Sequence, residues 1–459
     1  MSHPRADMRT IEAASGSVTA PTRVRYWVLG AACGLAIITY LHRAGFQSIS
    51  TELLADLKMD SRHLWAMTVA FMIAYGLFEV PWGRLGDKVG ARGLLTAVVV
   101  GGSLMTAALA IVVFLPQLMA LQLAFVVTVR FLFGAFQAGT FPILSRVMAD
   151  WMPATERGKA QGLVWMATRA GGALAPMVIV PLFQSMGNWQ APLIVGAFIG
   201  LLWCVCVIPW FRNRPEESPR VNEAEVQFIQ AGRRDRKAIT HARAPWRTML
   251  RSSNVWALWM MYGFLGFSGN FFLFQYTNYL ETRRGFDKTT SMWLTVAPFA
   301  FGVFACVTGG ALSDLLMKRL RNPRLGRRVV GFAGLLFAGT MIAITPWVQH
   351  AWVLGLLYGL TFLGNDLSMG PAWAAASDIG LRHAGSVAGV MNMMASLMAA
   401  LAAVMTGQAF HAAGQAAVRG DLSTQNVFMA LPFCVFAISY LLGALCWLRV
   451  DVTDPVPQD

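Results

Sequence analysis

Three arginines, Arg43, Arg130 and Arg169, stand inside stretches of sequence that are otherwise almost free of charge. An ionised side chain in such surroundings costs roughly 2.5 to more than 10 kcal/mol unless it meets water, an acid or an anionic ligand. Acids in comparable surroundings are few: Glu79, Asp366 and Asp378. The first half of the chain therefore holds surplus positive charge in its apolar part, and an interior of that sign suits an anion. Guanidinium groups fit the task because a planar fork grips a carboxylate through two bonds and keeps its charge. Helical spacing gives two of them company: Tyr40, Arg43 and Gln47 share one helix face, and Arg130, Gly134 and Gln137 share another, so two polar stripes can face one another. Arg169, beside Gly171, Gly172 and Ala173, is either a third lining residue or paired within tight packing.

The elements that must carry these residues follow from composition. With 459 residues, 56% hydrophobic and 13% charged, the chain is too apolar to hide its surface in a water-soluble core. Stretches long enough for a bilayer core of about 30 Å fall near 26–47, 64–82, 93–115, 118–144, 160–182 and 190–211. The second half repeats the pattern near 254–280, 291–316, 329–349, 351–377, 386–410 and 426–448. The expected fold is all-α: twelve transmembrane helices in two six-helix bundles, 26–211 and 252–448. A tail over 1–25, a linker over 212–251 and a tail over 449–459 complete it.

A formal net charge of +14 would suggest nucleic acid in a soluble protein, but the placement of the charges decides otherwise. Of the 37 lysines and arginines, 28 fall in the two tails and the even-numbered connections, six in the odd-numbered connections and three inside spans. The positive-inside rule then puts both termini and the linker in the cytoplasm, with anionic lipids as the partner of the basic surplus. The six cysteines all lie in apolar spans and read as small buried hydrophobes. In the linker, Asn222 with Glu225 three residues on reads as a capping box opening a short surface helix. No P-loop, zinc spacing or nucleophile elbow occurs, which leaves enzyme activity, a cofactor and a metal site without support.

One motif occurs twice. Gly83-Arg84-Leu85-Gly86-Asp87 closes the second apolar stretch of the first half, and Gly310-Ala311-Leu312-Ser313-Asp314 does so 227 positions later. Each opens a basic loop, Lys88 to Arg92 and Lys318 to Arg328. The glycines allow close helix contact, and the aspartates can cap a helix N-terminus or pair with nearby bases, a conformational role. A half-length repeat in a hydrophobic chain points to a transporter that rocks about its own pseudo-symmetry axis. The pair resembles the signature loop of the major facilitator superfamily.

A narrower resemblance rests on Tyr40-Leu41-His42-Arg43, on the run from Arg130 to Pro142, and on Gly370-Pro371-Ala372-Trp373. Arg169 to Ala173, Arg214 to Glu217, and Asp378 to Gly385 add to it. These segments look like the anion:cation symporter family, which includes hexuronate, galactonate, tartrate and phthalate permeases. The resemblance implies a monomeric inner-membrane importer of a small organic anion, coupled to a proton or sodium. It implies substrate carboxylate on Arg43 and Arg130, hydrogen bonds from Tyr40, Tyr75 and Asn392, and an interruption of span ten at Pro371. Where proton-coupled members carry acids, this chain has His42 and Gln137. Glutamine cannot titrate; His42 is either a coupling group or a neutral donor lining the cavity, and Asp366 beside Asn365 is either a titrating or cation-binding acid or the partner of a basic residue. The alternatives are an uncoupled facilitator or exchanger of the same anions and, in a different class, a ligand sensor signalling through the linker.

Overall fold

The computed structural model describes residues 20–59, 61–230, 245–274 and 276–456. Most of the N-terminal tail, the middle of the linker, Gln275 and the last three residues lie outside these, as do the side chains of Gln47, Asn270 and Asn278.

Every long element is a helix, as a chain in hydrocarbon requires: with no water to satisfy N–H and C=O groups, the backbone must pair with itself. The first half comprises α1 (Val24–Ser48), α2 (Ser50–Asp56), α3 (Ser61–Val89), α4 (Ala91–Leu109), α5 (Met119–Gln137), α6 (Thr140–Trp151), α7 (Arg157–Met186) and α8 (Gln190–Val207). The linker contributes α9 (Glu223–Gln230) and α10 (Trp246–Arg251). The second half comprises α11 (Ser253–Phe274), α12 (Tyr276–Thr282), α13 (Lys288–Leu320), α14 (Pro323–Ile344), α15 (Ala351–Leu367), α16 (Met369–Gly380), α17 (Ala384–Val418) and α18 (Leu422–Trp447). Among the described residues nine helical runs are long and apolar enough to cross a membrane, or ten if the bent run Arg157–Ala175 and Met177–Met186 forms one span. One of the nine, Ala351–Val418, holds two of the expected spans, separated by the turn at Leu381–His383.

Two expected spans are broken at equivalent places in the two halves. The fourth breaks at Ala138–Gly139 and the tenth at Ser368, in each case shortly before a proline, Pro142 or Pro371. A proline has no N–H for the carbonyl four residues back and its ring crowds that carbonyl. Restarting the helix just upstream places each proline in a first turn, where the missing donor costs nothing.

The halves meet along α3 against α17 and α7 against α13. At the ends of these contacts the backbones touch: a Cβ on Gly83 would overlap the Gly385 carbonyl, and one on Gly310 would overlap that of Gly158. Glycine at both repeated motifs is therefore a packing requirement.

The linker is anchored to the first half, in a way that departs from the capping-box expectation. Asn222 Oδ1 accepts from the Glu225 N–H at 3.0 Å, but the Glu225 carboxylate does not return to Asn222. It caps α1 instead, accepting from Val24 N at 2.9 Å, Arg25 N at 3.1 Å and Thr22 Oγ1 at 2.5 Å. Arg25 Nη1 adds an ion pair to it at 3.1 Å. The open N–H groups of α1 outcompete a local cap because they also bring the positive end of the helix dipole. Burial pushes the Glu225 carboxyl up, but these hydrogen bonds prevail and hold it below the usual carboxylate range. The C-terminal tail is likewise tied down: Val456 N donates to Ile379 O at 2.9 Å, and Asn254 Nδ2 to Asp451 O at 2.8 Å.

Candidate functional site

Phe71, Tyr75 and Glu79 recur every four residues on α3, so they line one face, and that face meets the arginines of α1 and α5. The Arg43 guanidinium carbon lies 4.4 Å from the Tyr75 ring centroid, 5.4 Å from Tyr40, 5.7 Å from Phe71 and 5.8 Å from Phe141. That of Arg130 lies 3.9 Å from Phe46, 4.9 Å from Phe71 and 5.3 Å from Phe133. The two cations thus share the Phe71 ring. Gln137 completes the bridge: its Oε1 accepts from Arg43 Nε at 3.3 Å.

Neither arginine is held in an ion pair. Among the described residues no carboxylate lies within ion-pair distance of Arg43 or Arg130, and Arg43 Nη2 and Arg130 Nε are buried without a hydrogen-bond partner. Aromatic faces supply about 0.5 to 2 kcal/mol per cation–π contact, which lowers the cost of burial without cancelling the charge. Guanidinium forks so placed can grip a group with two or more oxygen acceptors.

Arg169 belongs to a different arrangement. Its Nε and Nη2 donate to Asp366 Oδ2 and Oδ1 at 2.7 and 2.8 Å, a two-bond ion pair joining α7 of the first half to α15 of the second. Asn365 Nδ2 donates to Asp366 Oδ1 at 2.8 Å, and Tyr440 OH donates to Asn365 Oδ1 at 3.1 Å. Asp366 is fully buried, and its partner lies mid-helix rather than at a helix end.

His42 faces away from Arg43. Its Nε2 lies 2.8 Å from Gly196 O on α8, and a Cβ on Gly200 would come within 3.1 Å of its ring. Neighbours in a helix are rotated by about 100°, so a residue beside Arg43 is turned into the packing of its own bundle. Tyr75 and Asn392 do come together across the bundle interface: Asn392 Nδ2 donates to Tyr75 OH at 3.2 Å and to Glu79 Oε1 at 2.5 Å.

From Arg43 an aromatic column runs toward the basic-loop end and crosses between the halves. Phe141 stacks on Trp165 at 4.9 Å, Trp165 meets Trp373 at 5.3 Å, and the Trp373 indole N–H donates to Tyr262 OH at 2.9 Å. Beyond it the repeated motifs close that end. Asp87 accepts from the backbone N–H groups of Gly385 and Ser386 at 2.8 and 2.7 Å, capping α17. Asp314 accepts from Gly158 and Lys159 at 3.1 and 2.7 Å, capping α7, and pairs with Arg327 at 2.6 Å. Arg92 does not join Asp87; its N–H and Nε fasten α4 to Asn213 and to the Ile208 carbonyl. Sequence reasoning singled out Asp378 but missed the pairing that completes the closure: Asp378 accepts from Arg157 at 2.5 Å and Arg327 at 3.4 Å, while Arg146 pairs with Asp150 and donates to the Arg382 carbonyl. Their one signal was three arginines in or next to apolar runs that also border the basic loops.

The model of the Major Facilitator Superfamily matches residues 31–403. Among curated proteins, the chain is 28% identical over 433 residues to the probable sulfoacetate transporter SauU of Cupriavidus necator, covering 94% of each chain. It is 26% identical to the probable galactarate/D-glucarate transporter GudP of Bacillus subtilis, covering 92% of each, and 24% identical to the probable L-galactonate transporter of Escherichia coli, covering 81% of this chain and 80% of that one. Among solved structures, the proton:xylose symporter XylE superposes with a TM-score of 0.69 at 15% identity, over 91% of this chain and 93% of that one. The fucose:proton symporter FucP of Escherichia coli does so with 0.61 at 13%, over 91% and 98%. The chain belongs to the Major Facilitator Superfamily and is a multi-pass membrane transporter, not an enzyme.

Proposed function

We propose that the protein imports a small organic anion, a sugar acid or a related carboxylate or sulfonate, by alternating access in the inner membrane. In this reading twelve spans leave both termini and the linker cytoplasmic, and a cation moves with the anion. The observation that carries it is the pair of guanidinium groups on either side of Phe71, that of Arg43 half-buried and that of Arg130 buried, neither in an ion pair among the described residues. The names of the curated relatives, which refer to sulfoacetate, galactarate and galactonate, support the substrate class. The closed basic-loop end supports a conformation that receives the anion from outside.

Uptake into proteoliposomes tests the proposal, using sulfoacetate, D-galactonate, D-galactarate, an aromatic acid and the neutral sugar D-galactose, each with and without imposed proton and sodium gradients. Transport of at least one anion is the expected result; transport of neutral sugars alone would overturn it. Gln137 favours a second reading, an exchanger without cation coupling, because it replaces a titratable group beside Arg43. Equal uptake with and without either gradient would favour that reading.

A further inference from the structure

Most of the buried carboxyl groups near the bundle interface have an assigned partner: Asp366 holds Arg169, Asp378 holds Arg157 and Arg327, and Asp87 and Asp314 cap helices. Glu79 is different. It is fully buried on α3, one turn beyond Tyr75, and no lysine or arginine among the described residues pairs with it. Its Oε1 accepts from Asn392 Nδ2 of α17 at 2.5 Å, and its Oε2 is buried without a hydrogen-bond partner among the described residues. Tyr75 and Ser396 flank the carboxyl, and Arg43, over the Tyr75 ring at 4.4 Å, is the nearest cation; Arg130 is the next charge beyond Phe71. Glu79 also lies on the seam along which the bundles must part, since a Cβ on Gly389 of α17 would come within 2.7 Å of its backbone carbonyl.

We propose that Glu79 is the proton carrier of this transporter, sharing Arg43 with the transported anion so that anion and proton move together. The proposal rests on the anion-import reading above. With the anion absent, the Arg43 charge offsets a Glu79 carboxylate. An anion bound to Arg43 uses that offset and leaves a buried negative charge without compensation, which costs several kcal/mol. One proton taken from water on the outer side removes the cost: the protonated oxygen donates to a neighbouring hydroxyl while the other still accepts from Asn392. When α3 and α17 separate at the basic-loop end, the Asn392 contact breaks and the carboxyl meets cytoplasmic water. The anion leaves, Arg43 is free again, and the proton passes to that water. One proton enters and one leaves per anion, and no other bond changes. The carrier thus sits on α3, while His42 faces α8 and Gln137 cannot titrate.

The test uses the full-length protein with sulfoacetate and D-galactonate as probes. In proteoliposomes an inside-alkaline gradient should raise wild-type accumulation about tenfold, and the detergent-purified protein in weak buffer should take up about one proton per anion bound. Glu79→Gln should lose the gradient response and the proton uptake, with anion-dependent thermal stabilisation showing that the variant is folded. Glu79→Asp, which keeps a titratable group, should recover part of the response. Gradient-driven accumulation in Glu79→Gln equal to wild type, or wild-type counterflow without proton uptake, overturns the role of Glu79 and leaves anion import standing. Absence of counterflow in the wild type for these two anions, for D-galactarate and for an aromatic acid overturns the functional reading and the proton carrier with it.

Discussion

Asp87, at the end of α3 in the first half, accepts the backbone N–H of Ser386, at the start of α17 in the second half, at 2.7 Å. Asp314 repeats the arrangement in the opposite sense on Lys159. Each half therefore caps a helix of the other, and separating the halves at the basic-loop end would break both caps. A carboxylate at a helix N-terminus is worth roughly 0.3 to 2 kcal/mol, enough to bias a two-state equilibrium and small enough to be reversed in each cycle.

Asp87→Asn and Asp314→Asn should each shift the protein toward the conformation open at that end, by about 1 kcal/mol or about fivefold. In a background with the native cysteines replaced, Ser377→Cys, now buried 3.2 Å from Ser145, should react faster with a thiol reagent applied from the cytoplasmic side. Unchanged labelling in both variants would show that the caps do not hold the closed state.

Arg43→Lys and Arg130→Lys keep a charge but lose the planar fork and its aromatic stacking. Each should lower anion uptake at least tenfold, about 1.4 kcal/mol, with expression maintained. Normal uptake in both would remove the proposed binding site.

Gln137→Glu places a carboxylate where an oxygen now accepts from Arg43 at 3.3 Å. It should compete with the anion for Arg43, lowering affinity about tenfold at neutral pH, with affinity recovering as the new acid protonates. Binding titrations across pH would show a steeper dependence than in the wild type. Parallel profiles would place the anion away from this end of Arg43.

For the Arg169–Asp366 pair, removing one partner should cost more than removing both. Asp366→Leu strands a buried cation, at about 3 to 5 kcal/mol, whereas Arg169→Met with Asp366→Leu leaves none. Thermal melting should rank the double variant above the single. Additive losses would show that the ion pair is not the element at stake.

Glu225 should act as a constitutive anchor. Its carboxyl is held below the usual range, so its stabilisation is fully present above the unfolded value of about 4.3 and is lost as pH falls through the folded one. The difference in melting temperature between wild type and Glu225→Gln should be flat from about pH 8 to 5 and shrink below about pH 4. A difference that already changes near neutral pH would mean that another group controls the latch.

The apolar runs, the doubled glycine–aspartate motif and the three isolated arginines could be read directly, because a bilayer dictates helix length and penalises each charge one residue at a time. Helical spacing also put Arg43 near Gln137 and Arg130, since a side chain's bearing around its own helix follows from residue count. Residue count does not say how one helix is rotated and set in depth against another. That is decided by packing, at contacts such as Gly83 on Gly385 and Gly310 on Gly158. The tertiary structure alone therefore decided that Arg169 meets Asp366, 197 positions away, while Arg130 meets no acid among the described residues. It also turned His42 away from the residue beside it, took Glu225 from its own helix to cap α1, and set Glu79 against Asn392 near Arg43. Charge pairing between helices depends on angstrom-scale registry that many distant small residues set together, and no local pattern encodes it.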